Sequence, residues 1–218
     1  MFKIILILFL LNINLAFSQE TRMDIFNPLK QTPSAILLDN ITKPTVFNKS
    51  NNLLRKPGSF KQAKGEPLYI KGKVVDAFGV PISNALIKIW QTNSAGYYQS
   101  IIGKNNKYYD EQFLTSGQSN TDNLGNYEFV TIFPGFYDDR APHINMIIIH
   151  EKFGIIETEF YFKNHKLNKT DPVYNAYPDE DKNALTADVY YVNDEDPSKG
   201  KIAEFNIVID GIHEYKRY

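Results

Sequence analysis

The sequence predicts an all-β fold, a β-sandwich with little helix. From residue 67 onward, short apolar or alternating segments recur at short intervals, and glycine- and proline-containing turns separate them. No stretch carries the apolar period of a long helix, and only residues 179–187 are compatible with a helical turn or two. Domains of this kind bury their strands by packing sheet against sheet, so a sandwich is the expected architecture.

The individual strands follow from local patterns. Residues 68–75 alternate apolar and polar side chains, with Leu68 and Ile70 on one face and Lys71 on the other. The run from His143 to His150 is rich in isoleucine, a residue that favours strands. Similar patterns predict five further strands, at 85–90, 127–132, 158–162, 188–192 and 203–208.

The residues before the sandwich divide into two parts. Residues 1–18 combine a lysine, an apolar stretch and small residues near a cleavage position, the pattern of a cleaved secretory signal peptide. The apolar stretch is too short for a stable membrane span, and an uncleaved N-terminal anchor is the alternative. Residues 19–65 are rich in Asn, Lys, Pro and Ser without periodicity, which predicts an extended N-terminal arm. The sandwich domain then covers residues 66–218, and the protein is expected to be secreted or periplasmic.

Composition excludes several classes of function. The chain has 218 residues, a formal net charge of −1 and no long run of either sign. A nucleic-acid-binding surface is therefore not expected. The absence of cysteine excludes disulfides, thiolate metal ligands and a cysteine nucleophile.

Four residues form a spaced set of potential metal ligands. Tyr98 lies eight residues after Trp90, and Tyr137 closes a Pro-Gly-Phe-Tyr segment. His143 and Asn145 follow, and they share one face of a predicted strand because they are two residues apart. Phenolate oxygen is a hard donor that prefers ferric iron, and neutral imidazole completes such a site. The set therefore predicts an iron site in which Asn145 stands where a second histidine would be expected.

These residues lie in motifs that resemble the intradiol ring-cleavage dioxygenases, and most nearly the protocatechuate 3,4-dioxygenase branch. The resemblance rests on the spacing from Trp90 to Tyr98, on the Pro-Gly-x-Tyr segment ending in Tyr137, and on the Arg-x-x-His segment from Arg140 to His143. It extends from about residue 68 to residue 211 and implies a prealbumin-like form of the sandwich.

The resemblance implies a non-haem Fe(III) cofactor, with Tyr98, Tyr137 and His143 as ligands. It also implies that Tyr137 acts as a base when a catechol binds, and that Arg140 stabilises negative charge on the substrate. The expected partners are a small-molecule catechol and O₂, which would be inserted between the two hydroxyl-bearing carbons. Such a reaction belongs to aromatic compound catabolism.

Two residues depart from the family pattern. Asn145 takes the position of the second histidine ligand, and its neutral amide is a weaker donor to ferric iron than imidazole. Glu159 stands where the relatives carry glutamine. Its carboxylate is predicted to pair with Arg140 and to weaken the attraction of that arginine for an anionic substrate.

Three functions are compatible with these observations. The first is a secreted or periplasmic intradiol dioxygenase in which Asn145 modifies the iron site. The second is an iron-free subunit that pairs with an active chain in a heteromeric dioxygenase. The third is a prealbumin-like binding or surface domain without chemistry. Both a homo-oligomer and a hetero-oligomer are compatible with them.

Overall fold

The computed structural model describes residues 28–36 and 42–209, and the predicted signal peptide lies outside these ranges. Among the regular elements of the described residues, strands predominate and helix is scarce, which confirms the all-β prediction. The strands are β1 (Pro67–Asp76), β2 (Leu86–Trp90), β3 (Ser116–Asn120), β4 (Asn126–Ile132), β5 (His143–His150), β6 (Gly154–Phe162), β7 (Thr186–Tyr191), β8 (Lys201–Glu204) and β9 (Ile207–Ile209). The α-helices are α1 (Gln99–Ile102), α2 (Pro172–Ala176) and α3 (Asp179–Ala184), and 3-10 helices lie at Lys166–Lys169 and Pro197–Lys199. None of these helices is long and apolar enough to cross a membrane.

The strands follow the order β3-β2-β5-β6-β7-β8-β1-β4, and β9 pairs with β1. The parallel pairing of β6 with β7 has only two residue pairs. This short pairing divides the strand order into a first half, β3-β2-β5-β6, and a second half, β7-β8-β1-β4. Both halves contribute to one hydrophobic core. Ile87 and Ile144 from the first half, and Ile70 and Phe129 from the second, are each at most 1% exposed.

Strand β5 is buried on both faces, and the two faces differ in character. Ile144, Met146 and Ile148 belong to the main core. His143 and Asn145 point to the opposite face, because successive side chains of a strand alternate. Both are nevertheless buried, at 5% and 9% exposure. Polar side chains of β5 therefore lie in a second buried layer outside the main core.

Two segments before β1 are bonded to the strands. Thr32 N–H donates to Val208 O and Ala35 N–H donates to Glu157 O, each over 2.9 Å. Leu53 N–H donates to Val130 O, and the Leu53 side chain is fully buried in the main core. The described residues that precede β1 contain neither an α-helix nor a continuous strand.

The predicted strand at 203–208 is wrong in one respect, because it is divided into β8 and β9. At the break, Phe205 N–H donates to Lys71 O over 3.0 Å, and Phe205 O accepts from the Tyr127 hydroxyl over 2.6 Å. The carbonyl fits there because residue 72 is glycine, where a Cβ would lie 1.8 Å from Phe205 O. These partners are more than seventy residues away along the chain, so the local pattern could not reveal the break.

The sequence pattern also fails to predict β3, α1 and α2. The sequence of β3 is Ser-Gly-Gln-Ser-Asn, which has no apolar alternation. It is a strand because its backbone pairs with β2 over five residue pairs, from Leu86↔Asn120 to Trp90↔Ser116. The helical turn expected within 179–187 is present as α3.

Candidate active site

The four predicted ligand positions and the predicted substrate-binding arginine lie together around one cleft of about 360 Å³. These residues are Tyr98, Tyr137, Arg140, His143 and Asn145. Tyr98 comes from the connection after β2, at the N-cap of α1. Tyr137 and Arg140 bracket a tight turn before β5, in which Tyr137 N–H donates to Arg140 O and Arg140 N–H donates to Tyr137 O, over 3.2 and 2.8 Å. His143 and Asn145 are the first and third residues of β5. Two segments, separated in sequence but adjacent across the β2–β5 pairing, therefore form the site.

His143 is held as a neutral imidazole with its Nε2 lone pair available. Its Nδ1 lies 2.7 Å from Ala141 O, and because a carbonyl can only accept, Nδ1 must carry the proton. Nε2 then lies 3.3 Å from the Tyr98 hydroxyl oxygen. Burial lowers the pKa of His143 below its ordinary value, which keeps the ring neutral. A ring whose Nδ1 proton is fixed by a carbonyl and whose Nε2 carries a lone pair, which here faces the Tyr98 hydroxyl, is the usual state of a metal-ligating histidine.

Asn145 presents its amide nitrogen to Tyr98. Nδ2 lies 3.0 Å from the Tyr98 hydroxyl oxygen and 3.3 Å from the carbonyl oxygen of Trp90. Exchanging the amide oxygen and nitrogen would place two acceptors against each other at Trp90, so the observed orientation is the favoured one. In this orientation Asn145 donates a hydrogen bond to Tyr98, which favours the ionised phenolate. The predicted ligand role of Asn145 would require the amide to turn.

Aromatic packing fixes the two tyrosines. The Tyr98 and Tyr137 rings meet edge to face, with centroids 5.2 Å apart and an interplanar angle of 79°. Tyr98 is 5% exposed and belongs to a small cluster with Trp90 and Ile147. Tyr137 is half-buried and packs against this cluster. One phenol is therefore rigidly enclosed while the other lies nearer to solvent.

The predicted pairing of Glu159 with Arg140 is confirmed. Arg140 Nη2 donates to Glu159 Oε2 over 2.8 Å, and Glu159 is fully buried. Glu159 lies directly opposite Asn145 in the β5–β6 register. Burial, the largest single influence, would lower the pKa of Arg140, but Glu159, Tyr161 and Asp171 together outweigh it, and the pKa of Arg140 lies above its ordinary value. Arg140 therefore remains a cation.

A second carboxylate, which the sequence did not single out, holds Arg140 from the other side. Arg140 Nε lies 3.2 Å from both oxygens of Asp171, which is fully buried. Asp171 also accepts from Ala141 N–H over 2.7 Å and caps α2 by accepting from Val173 N–H and Tyr174 N–H. The signal for the cap was present, since aspartate followed by proline is typical of a helix start. The contact with Arg140 had no local signal.

Tyr161 and Tyr177 complete the buried network around Glu159. Both hydroxyls donate to Glu159 Oε1, over 2.8 and 3.4 Å, and Tyr161 also accepts from Arg140 Nη2 over 2.7 Å. Burial, followed by the negative charge of Glu159, raises the pKa of both tyrosines above the ordinary range, so both remain donors. Tyr161 could have been inferred, because it lies two residues after Glu159 on the same strand face.

The donor set is compatible with a ferric ion. Ligands that share one metal ion at about 2.0–2.2 Å lie roughly 3 Å from each other, and the Tyr98 oxygen and His143 Nε2 are 3.3 Å apart. Tyr137 lines the same cleft. Within 28–36 and 42–209, no group of three or more His, Cys, Asp or Glu side chains could hold a metal ion.

Comparison with known proteins shows similarity to dioxygenases. Residues 43–211 match the family model Dioxygenase_C, described as dioxygenase. The protocatechuate 3,4-dioxygenase beta chain of Burkholderia cepacia is 30% identical over 155 residues, which cover 67% of this chain and 66% of that one. The alpha chain from the same organism is 29% identical over 154 residues, which cover 68% of this chain and 75% of that one.

Solved structures share the fold. An intradiol ring-cleavage dioxygenase from Tetranychus urticae has a TM-score of 0.66 at 18% identity, over 84% of this chain and 96% of that one. Catechol 1,2-dioxygenase of Acinetobacter radioresistens has a TM-score of 0.63 at 19% identity, over 90% and 69% of the two chains. With the family match covering most of its length, the chain belongs to the intradiol ring-cleavage dioxygenase family.

Proposed function

We propose that this protein is a non-haem ferric-iron dioxygenase that inserts O₂ between the two hydroxyl-bearing carbons of a catechol. The observation that carries the proposal is the convergence of Tyr98, Tyr137 and His143 on one cleft, in a chain of this family. Tyr98 and Tyr137 would hold the ion through their phenolate oxygens, and His143 through Nε2. When bound, ferric iron supplies the Lewis acid and redox centre through which a catechol becomes reactive towards O₂.

The surrounding residues prepare these donors. Ala141 O holds the proton of His143 on Nδ1, so that Nε2 keeps its lone pair. Asn145 donates to the oxygen of Tyr98, which stabilises negative charge there. Tyr137, the more accessible of the two tyrosines, would accept a proton from a catechol hydroxyl at its phenolate oxygen and so become a neutral phenol.

Arg140 has a positioning role towards the substrate. Its Nε and Nη2 are engaged by Asp171, Glu159 and Tyr161, and Nη1 makes no hydrogen bond within the described part of the chain. The guanidinium is thus held rigidly with one nitrogen left to donate. That nitrogen can hydrogen-bond to a substrate oxygen as negative charge develops on it.

A second function, an iron-free subunit of a heteromeric dioxygenase, is favoured by one observation. Asn145 directs its amide nitrogen into the ligand position, and a nitrogen that bears two hydrogens cannot ligate a metal ion. On that interpretation the cleft keeps the shape of the active site without its cofactor, and the partner chain carries the chemistry.

The architecture around the site supports the proposal. Two layers, β3-β2-β5-β6 and β7-β8-β1-β4, would form a prealbumin-like sandwich, and the main core that they share supports this arrangement. The domain proposed for residues 66–218 is described up to residue 209. Residues 19–65 serve as an arm along the strands, in keeping with the hydrogen bonds of Thr32, Ala35 and Leu53. Residues 1–18 direct the chain to a secreted or periplasmic location.

Iron binding tests the proposal directly. Two phenolates on ferric iron absorb visible light, so protein loaded with Fe(III) should be coloured and should contain one iron per chain. Tyr98→Phe and Tyr137→Phe should each weaken the colour, whereas Tyr97→Phe is the matched control. Tyr97 neighbours Tyr98 but stacks on Tyr108 outside the cleft, with ring centroids 4.7 Å apart. Loss of colour in the Tyr97 variant as well would indicate a general effect on folding.

Asn145→His separates the two functions. The substitution places an imidazole on the same strand face as His143 without changing either tyrosine. If the native protein is coloured and cleaves catechol, the enzyme tolerates Asn145 as a hydrogen-bond donor to Tyr98. A colourless native protein that gains iron and colour in the Asn145→His variant supports the iron-free subunit. If neither protein takes up iron under conditions that load a related dioxygenase, the enzyme proposal fails.

A further inference from the structure

We propose that the cleft selects catechols whose ring substituent is neutral or positively charged, and that it disfavours catechols with a carboxylate. This inference rests on the proposed function, since it concerns the substrate class of the same site. It comes from the charged side chains around the cleft other than the proposed iron ligands, and these side chains carry a net negative charge.

Arg140 is the one side chain of fixed positive charge among the described residues that line the cleft. Two carboxylates of the protein already neutralise the charge of Arg140. Glu159 and Asp171 contact it over 2.8 and 3.2 Å, and both carboxylates are fully buried. Two desolvated anions on one guanidinium leave a small net negative charge behind the cleft, so Arg140 offers a hydrogen bond but little net attraction for an anion.

The rim of the cleft adds two more carboxylates. Asp138 and Asp139 line the opening, in the turn between Tyr137 and Arg140, and both are exposed. Neither makes an ion pair with any residue in the described ranges. A ring substituent near the opening would therefore meet two uncompensated negative charges. A carboxylate there is repelled, whereas an ammonium group is attracted.

Three catechols that differ in one ring substituent test the inference. They are 4-methylcatechol, 3,4-dihydroxybenzoate and 3,4-dihydroxyphenethylamine, which carry a neutral, a negative and a positive group. Their dissociation constants for the iron-loaded full chain are measured without oxygen, by calorimetry and by the change in visible absorption. Because all three share the two hydroxyls, differences in affinity report the substituent. The benzoate is expected to bind about tenfold more weakly than 4-methylcatechol, and the amine at least as tightly.

Variants assign the discrimination to the rim. The double variant Asp138→Asn, Asp139→Asn should reduce the ratio of amine to benzoate affinity by about fivefold, and 0.5 M salt should reduce the ratio in the native protein as well. Asparagine is chosen because Asp138 has a φ of 55°, which asparagine tolerates. The control is Glu151→Gln, an exposed acid in the turn beyond the far end of β5, outside the cleft. Glu159→Gln should also tighten binding of the benzoate, by releasing Arg140.

The outcomes separate this inference from the proposed function. If all three catechols bind with equal affinity, or if the benzoate binds best, the inference is overturned while the dioxygenase proposal stands. An unchanged affinity ratio in the rim variant also overturns it. If none of the three binds to the iron-loaded protein, the proposed function and the inference both fail. The inference is supported by weaker benzoate binding that the rim variant, but not Glu151→Gln, relieves.

Discussion

Removing the carboxylate of Asp171 is expected to destabilise the fold as well as the site. This one side chain contacts three groups: an arginine side chain, a backbone N–H before β5 and the first turn of α2. It pairs with Arg140, accepts from the backbone N–H of Ala141 over 2.7 Å, and caps α2 through Val173 N–H and Tyr174 N–H over 2.8 and 2.9 Å. It is fully buried, so water cannot replace these contacts in a variant.

The contacts give an expected magnitude. Loss of a helix cap costs about 1 kcal/mol, and removal of one partner from a buried ion pair costs about 3–5 kcal/mol. The two costs do not add fully here, because Glu159 still neutralises Arg140 after the change. Asp171→Ala should therefore lower the free energy of unfolding by about 3–4 kcal/mol. Asp171→Asn keeps an oxygen for the cap and should cost about 2 kcal/mol.

Urea unfolding followed by circular dichroism measures both values. The matched control is Asp188→Ala, which removes an aspartate whose ion pair with Lys163 is largely exposed, with side-chain exposures of 63% and 58%. An exposed pair contributes at most about 1 kcal/mol, so the control should change little. If Asp171→Ala costs less than about 1 kcal/mol, the buried network does not stabilise the fold in the way argued above.

Two further predictions concern the break between β8 and β9. Gly72→Ala should lower the free energy of unfolding by more than about 2 kcal/mol, because the added Cβ would lie 1.8 Å from Phe205 O. The control is Gly58→Ala, where the added Cβ would have no atom within 4 Å. It should cost only about 1 kcal/mol, because alanine is strained at a φ of 78°. Burial raises the pKa of Tyr127 above its ordinary value, so the folded protein keeps a proton that the unfolded chain releases above about pH 10. Stability should therefore fall as pH rises beyond 10, by up to about 1.4 kcal/mol per pH unit from this group, and Tyr127→Phe should lessen that slope. An identical pH dependence in the variant would contradict this assignment.

The sequence could predict those features that local patterns and family motifs encode. The bounds of β5 follow from a run of strand-forming residues between two histidines, and the structure has the same bounds. The contact of Glu159 with Arg140 was predicted from the resemblance of one strand to the family, and the ion pair is present in the structure. The grouping of Tyr98 with the residues of β5 followed from motif spacing shared with the family.

Other features depend on contacts between distant residues, and no local pattern encodes them. The orientation of Asn145 depends on the Trp90 carbonyl, which the β2–β5 register places beside it. Asp171 reaches Arg140 across thirty-one residues of sequence. The strand β3 exists because β2 provides its hydrogen bonds, although its own sequence has few residues that favour strands.

The segment before β1 has a practical consequence for work with this protein. Thr42 lines the cleft and accepts a hydrogen bond from Trp90 Nε1 over 3.4 Å, and the Phe47 ring covers the Trp90 indole edge to face at 5.9 Å. A shortened protein that starts at the first strand would retain every candidate ligand. It would nevertheless lose one wall of the cleft and expose the tryptophan that packs behind Tyr98. Expression for crystallography or kinetics should therefore begin upstream of Thr42, and a limited protease digest that removes this segment would be expected to change the tryptophan fluorescence.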